Sequence, residues 1–102
     1  MGNNELDLTR TITMMVLDQT PMHRYEFTVR NFIDPNIIYA IYGKIHNDKN
    51  EDVYFIRDPN DKNCILEYRH RDEFIISLCK GIYDILYEEA IPYKFEGGLL
   101  WN

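Results

Sequence analysis

The sequence predicts an α+β fold: an antiparallel meander of four or five strands packed by one long C-terminal helix. Three observations predict it. Residues 71–91, RDEFIISLCKGIYDILYEEAI, carry Ile75, Leu78, Cys79, Ile82, Ile85 and Leu86 at three- and four-residue spacing, which gathers them on one helix face. Residues 24–31 alternate cleanly, with Tyr25, Phe27 and Val29 on one side and Arg24, Glu26, Thr28 and Arg30 on the other, as a half-buried strand requires. The stretches DPN at 34–36 and DPNDKN at 58–63 are turn signals that leave only short links between apolar runs. Strands joined by short links pair antiparallel. A helix laid across one sheet face closes a two-layer domain.

Taken in order, residues 1–7 form a polar lead-in. Leu8 to Leu17, rich in Thr, Ile, Met and Val, suits a first strand, with Ile12, Met14 and Val16 on one side. DQTPMH at 18–23 is a turn. Residues 36–46 fit either a strand or a short helix. Their β-branched and aromatic content favours the strand, and Gly43 would weaken a helix by about 1 kcal/mol. Gly43 is also a candidate bulge. Residues 53–57 and 64–70 make a hairpin about the turn at 58–63. In the helix, Asp72 and Glu73 favour the N-terminus and Pro92 ends the pattern. The tail, 93–102, holds a Gly-Gly hinge and then Leu99, Leu100 and Trp101, for which packing back as a final strand or core cover is the favoured reading over docking on a partner or a second copy.

At 102 residues the chain is one domain, 1–102. The net charge of −6 disfavours nucleic acid as a partner and favours a basic protein surface. No apolar run approaches the ~20 residues of a membrane span, and the start MGNNELDLTR has no signal-peptide pattern, so a cytoplasmic protein is expected. Cys64 and Cys79 are expected to be small buried hydrophobes in a reducing compartment.

The chemical motifs point away from catalysis. His23, His46, His70 and the two cysteines lack metal-ligand spacing, and no phosphate-binding glycine motif is present, so no cofactor or metal is expected. The segment from Glu67 to Glu73 gathers acids, bases and His70 where strand meets helix, yet alternation sends its members to different faces, as in a solvated junction. Arg24 and Arg30 flank Glu26, which favours cross-strand pairing over anion capture.

Two surfaces suit a protein partner. On the helix, Tyr83 and Tyr87 are four apart and lie beside Asp84 and Glu88, which gives an acidic aromatic patch. The acids Asp48, Glu51 and Asp52 form the second, in a loop. In size, charge and strand-then-helix order the chain resembles the small acidic inhibitor and immunity proteins of bacteria and their phages. That resemblance implies a non-enzymatic protein that occludes a basic functional surface of another protein. The alternative reading is a small-molecule binder, dimeric or not, with a tyrosine-lined pocket between sheet and helix. A small enzyme using His70 ranks third.

Overall fold

A computed structural model describes residues 2–19, 24–61, 63–88 and 92–101, with side chains described outside 2–6, 87–88 and 98–101. The element order is α1 (Gly2–Asp18), β1 (Arg24–Asn31), β2 (Ile38–His46), β3 (Asp52–Arg57), β4 (Ile65–Tyr68), α2 (Arg71–Glu88) and β5 (Tyr93–Trp101). The strands form a five-stranded sheet in the order β4-β3-β2-β1-β5, antiparallel at each of its four junctions. The fold is α+β, but three expectations need correcting. The helix is not C-terminal, since β5 follows it. The sheet is not a simple meander, because the chain crosses from α2 back to the far edge and adds β5 beside β1. The segment 8–17 is helix rather than strand, so the strand-then-helix order behind the resemblance to inhibitor proteins does not hold.

In α1, Leu8, Ile12 and Val16 recur every four residues and are fully buried, while Met14 is 58% exposed. That is the helical period, not the pleated one. Both helices lie on one face of the sheet, because Tyr42 meets each of them. Its hydroxyl donates to Met15 Sδ of α1 at 3.9 Å, and its ring lies 6.3 Å from Phe74 of α2. The core beneath them is built from Tyr25, Phe27 and Val29 of β1, Ala40 and Tyr42 of β2, Tyr54 of β3, and Phe74, Leu78, Cys79, Ile82 and Leu86 of α2. The helix stripe read from spacing is buried at Leu78, Cys79, Ile82 and Leu86. Phe74 joins it, and Ile85 stays 40% exposed.

In β2 the buried set is the opposite of the isoleucine set. Ala40, Tyr42 and Lys44 face the helices, while Ile41 and Ile45 face away. The irregularity in this hairpin lies between Val29 and Arg30, opposite Ala40 and Ile38, so Gly43 is not the bulge. The Gly-Gly pair is not a hinge either, since Gly97 and Gly98 lie inside β5 opposite Phe27 and Glu26. The fold-back of the tail as a final strand is seen in its backbone; the side chains of Leu99, Leu100 and Trp101 lie outside the described residues. On the outer face charges pair across strands: Arg30 with Glu96 at 3.0 Å, and Glu26 with Arg57 at 3.6 Å.

Candidate functional site

The β1–β2 connection is a tightly hydrogen-bonded loop, and it displays apolar side chains. Asn31 organises it. Its Oδ1 accepts from the backbone N–H of Ile33 at 2.8 Å and of Asp34 at 2.9 Å, an Asx turn. Its Nδ2 donates to the Tyr39 hydroxyl at 2.7 Å. Asp34 then caps Asn36 through its carboxylate and Ile37 through its carbonyl. Arg30 donates to the Pro35 carbonyl at 2.7 Å, and the Phe32 N–H donates to the Pro92 carbonyl at 3.0 Å, which ties the loop to the start of β5. On this frame Phe32 is 64% exposed, Ile33 80% and Ile37 45%. In the sequence DPN marks the turn that ends the strand, and the bulky apolar residues on both sides of it are the signal for a surface.

Next to the loop, a cleft of about 410 Å³ opens between the sheet and α2. Its floor is Ile38, Tyr39, Ala40, Ile56 and Leu66, and its helix wall is Ser77, Leu78, Gly81, Ile82 and Ile85. Arg57, Asp58, Asn60 and Cys64 give it a polar rim. Tyr39 links loop and cleft, since it lines the cleft and receives the Asn31 bond that fixes the loop. A cleft of this size, apolar with a few polar rim groups, is the usual form of a site for a small molecule or an inserted side chain. Comparison with known protein families, curated proteins and solved structures gave no match.

Cys64 is exposed on the cleft rim, whereas Cys79 is buried and its thiol is pushed up by burial, with the Thr9 hydrogen bond opposing. The expectation of two buried cysteines holds for Cys79 only, because Cys64 sits before β4 begins. Both thiols are free. A thiol reagent should therefore titrate one cysteine quickly in native buffer and the second only in denaturant. Two fast thiols would contradict the burial of Cys79.

The structure does not bring the two expected partner surfaces together. Tyr83 is half-buried against the core and Asp84 is exposed, both beside a groove between α1 and α2 that also holds Thr9, Ile76 and Lys80. The side chains of Tyr87 and Glu88 lie outside the described residues. The loop acids sit near the start of α2, about 20 Å along the helix axis from Asp84 at 1.5 Å per residue. Two of them are engaged locally. Glu51 accepts from Asn47 at 3.3 Å and lies 3.9 Å from Arg69. Asp52 lies 2.9 Å from His46 Nδ1 and 3.8 Å from Lys44 Nζ. Asp48 is exposed in the turn, where Asn50 takes the left-handed conformation at φ 63°.

His70 is exposed at the strand–helix junction and lines a polar pocket with Asp52, Tyr54, Arg69, Arg71 and Asp72. Among the described residues no three His, Cys, Asp or Glu side chains gather into a metal-binding set. Among the described residues no helix is long and apolar enough to cross a membrane.

The hairpin turn carries a pH dependence. His46 Nε2 lies 2.6 Å from Asn50 Oδ1 and Nδ1 lies 2.9 Å from Asp52 Oδ1, so both nitrogens donate when the ring is protonated. These bonds, Asn50 first and Asp52 second, raise the His46 pKa above its ordinary value. A raised folded value favours the protonated native state. Its stabilisation is complete below about pH 6.5 and is lost as pH climbs through the folded pKa. Wild type should lose stability relative to His46→Gln between pH 5.5 and 8.5 in urea titrations. A constant difference over that range would remove His46 as the cause.

Proposed function

We propose that the chain is a non-enzymatic binding protein that docks on another protein, with the β1–β2 loop as its anchor and the adjoining cleft as the seat for a partner side chain. The observation that carries this reading is the pair Phe32 and Ile33, 64% and 80% exposed on a hydrogen-bonded loop. Single exposed hydrophobes are ordinary. Two adjacent bulky ones on a fixed backbone, beside an apolar cleft, supply contact area with little ordering cost on binding. The net charge of −6 favours a partner whose rim is basic, and masking a basic functional surface is the role this suits. The exposed free thiol of Cys64 is in keeping with a reducing compartment such as the cytoplasm.

The test compares wild type with the double variant Phe32→Asp/Ile33→Asp. Both positions are exposed, so stability should stay within about 0.5 kcal/mol. A tagged wild-type chain should retain one stoichiometric host protein at low salt and lose much of it at high salt. The double variant should retain none. Equal capture by both chains would move the interface elsewhere.

A second reading, a small apolar ligand in the cleft, is favoured by Gly81. A Cβ added there meets no atom within 4 Å, so the helix wall leaves real space. Here Gly81→Leu should abolish a ligand's thermal shift and Cys64 protection from alkylation, while Phe32→Asp/Ile33→Asp leaves both intact. The reverse pattern would support the protein-docking reading.

A further inference from the structure

The edge of the sheet at β4 borders the cleft. In the β3–β4 hairpin the Asp58 N–H donates to the Cys64 carbonyl at 3.1 Å. The ladder continues through the pairs Ile56–Leu66 and Tyr54–Tyr68, so Cys64, Leu66 and Tyr68 turn their backbone groups toward β3. By the same alternation Ile65 and Glu67 turn their N–H and C=O groups away from β3, where no strand follows among the described residues. The side chains divide in the same way. Leu66 faces the helix layer with Ile56, yet it is 54% exposed. It lines the cleft whose helix wall includes Ser77, Gly81 and Ile85. On the outer face Ile65 is 48% exposed, and Glu67, two residues on, is exposed as well. Arg57 and Arg69 are engaged with Glu26 and Glu51, whereas the Glu67 carboxylate has no ion-pair partner among the described residues.

An open sheet edge is a template for a further strand, because an extended backbone meets its spaced donors and acceptors in register. Antiparallel pairing is the pattern at each junction of this sheet. In that geometry the residues that exchange bonds with Ile65 and Glu67 share their face and point outward, while the residues between them point inward. The inward side chains fall beside Leu66 and into the cleft, which calls for apolar residues. The outward ones lie next to Glu67, which calls for Lys or Arg. A second copy of the chain is the poorer occupant, since it brings its own net charge of −6. Building on the protein-docking reading of loop and cleft, we propose that the β4 edge takes up an extended segment of the partner protein as a sixth, antiparallel strand. Its inward apolar side chains fill the cleft, and its outward basic side chains pair with Glu67.

The probe is a synthetic peptide, acetyl-KVKLKVK-amide, titrated into the full ¹⁵N-labelled chain. The amide signals of Ile65 and Glu67 should shift saturably. Two N-methylated forms of equal charge and length separate strand pairing from general attraction. Methyls on the last three lysines block the bonds to β4 and should abolish the shifts. Methyls on the two valines and the leucine point away from β4 and should leave them. Ile65→Pro removes one outward N–H at the first position of an edge strand, where proline is tolerated. Read at Glu67, it should weaken the titration about fivefold, the size of one hydrogen bond. Glu67→Lys is a surface exchange that keeps the fold, and it should weaken binding several-fold, less so at high salt. Equal shifts with both methylated forms, or none with the parent peptide, would overturn the proposal. So would a chain that sediments as a dimer and becomes a monomer in Ile65→Pro, which would give the edge to a second copy. Capture of a host protein that persists in Ile65→Pro and Glu67→Lys, but is lost in Phe32→Asp/Ile33→Asp, would sink strand addition alone and leave docking through the loop standing.

Discussion

Phe74→Ala is expected to cost about 3–5 kcal/mol, the range for removing a fully buried phenylalanine. That is a large part of the ~5–15 kcal/mol that holds a domain of this size folded. Phe74 is completely buried and is the first core residue of α2. Its ring stacks on Tyr54 with centroids 5.0 Å apart, and it lies 6.1 Å from Tyr68 and 6.3 Å from Tyr42. One side chain thus joins the helix to β2, β3 and β4. Truncation removes the transfer energy of the ring, its aromatic pairings and the support beneath the first turn of the helix. The neighbours are rings on sheet backbone and cannot collapse far into the space. Ile85→Ala on the same helix should cost much less, because Ile85 is 40% exposed. Urea unfolding of both variants checks this. A loss below about 1 kcal/mol for Phe74→Ala would mean that α2 is not seated as described.

The place of α2 was legible because its apolar stripe fits only one period, and β1 was legible because three large residues alternate with four polar ones. The segment 8–17 was misread for a definable reason. Ile12 and Val16 are four apart, and four is both one helical turn and two pleats. Pairing them with Met14 suggested a strand, while pairing them with Leu8 would have suggested a helix. The structure decides by burying Leu8 and exposing Met14. Lys44 was illegible in a different way. A lysine in a strand reads as a solvent position, and only the register between Tyr25 and Tyr54 puts it inside. The apolar display of the β1–β2 loop was not legible, because turn chemistry gives the position of a loop, not what its flanking side chains face. The cleft could not be read from one element, since α2, β2, β3 and β4 each contribute a wall.

Gly43→Ala is expected to cost about 3 kcal/mol or more, beyond the usual overpacking penalty, because the atoms it strikes cannot yield. A Cβ at Gly43 would lie 2.0 Å from the Tyr25 carbonyl oxygen and 3.0 Å from Glu26 Cα, both backbone. Moving them means opening the β1–β2 ladder in the middle of the sheet. From the other side Gly97, at φ +114°, would bring a Cβ within 2.3 Å of the Glu26 carbonyl. Strand β1 is therefore gripped at adjacent carbonyls by two neighbours that approach only because they lack side chains. Gly81→Ala supplies the control of opposite sign. It adds the same methyl where nothing lies within 4 Å, in a helix interior, and should stabilise by about 0.5–1 kcal/mol. The two single-methyl variants, compared in one urea series, separate backbone collision from intrinsic propensity. If both changed stability in the same direction, the close approach of β2 to β1 would be wrong.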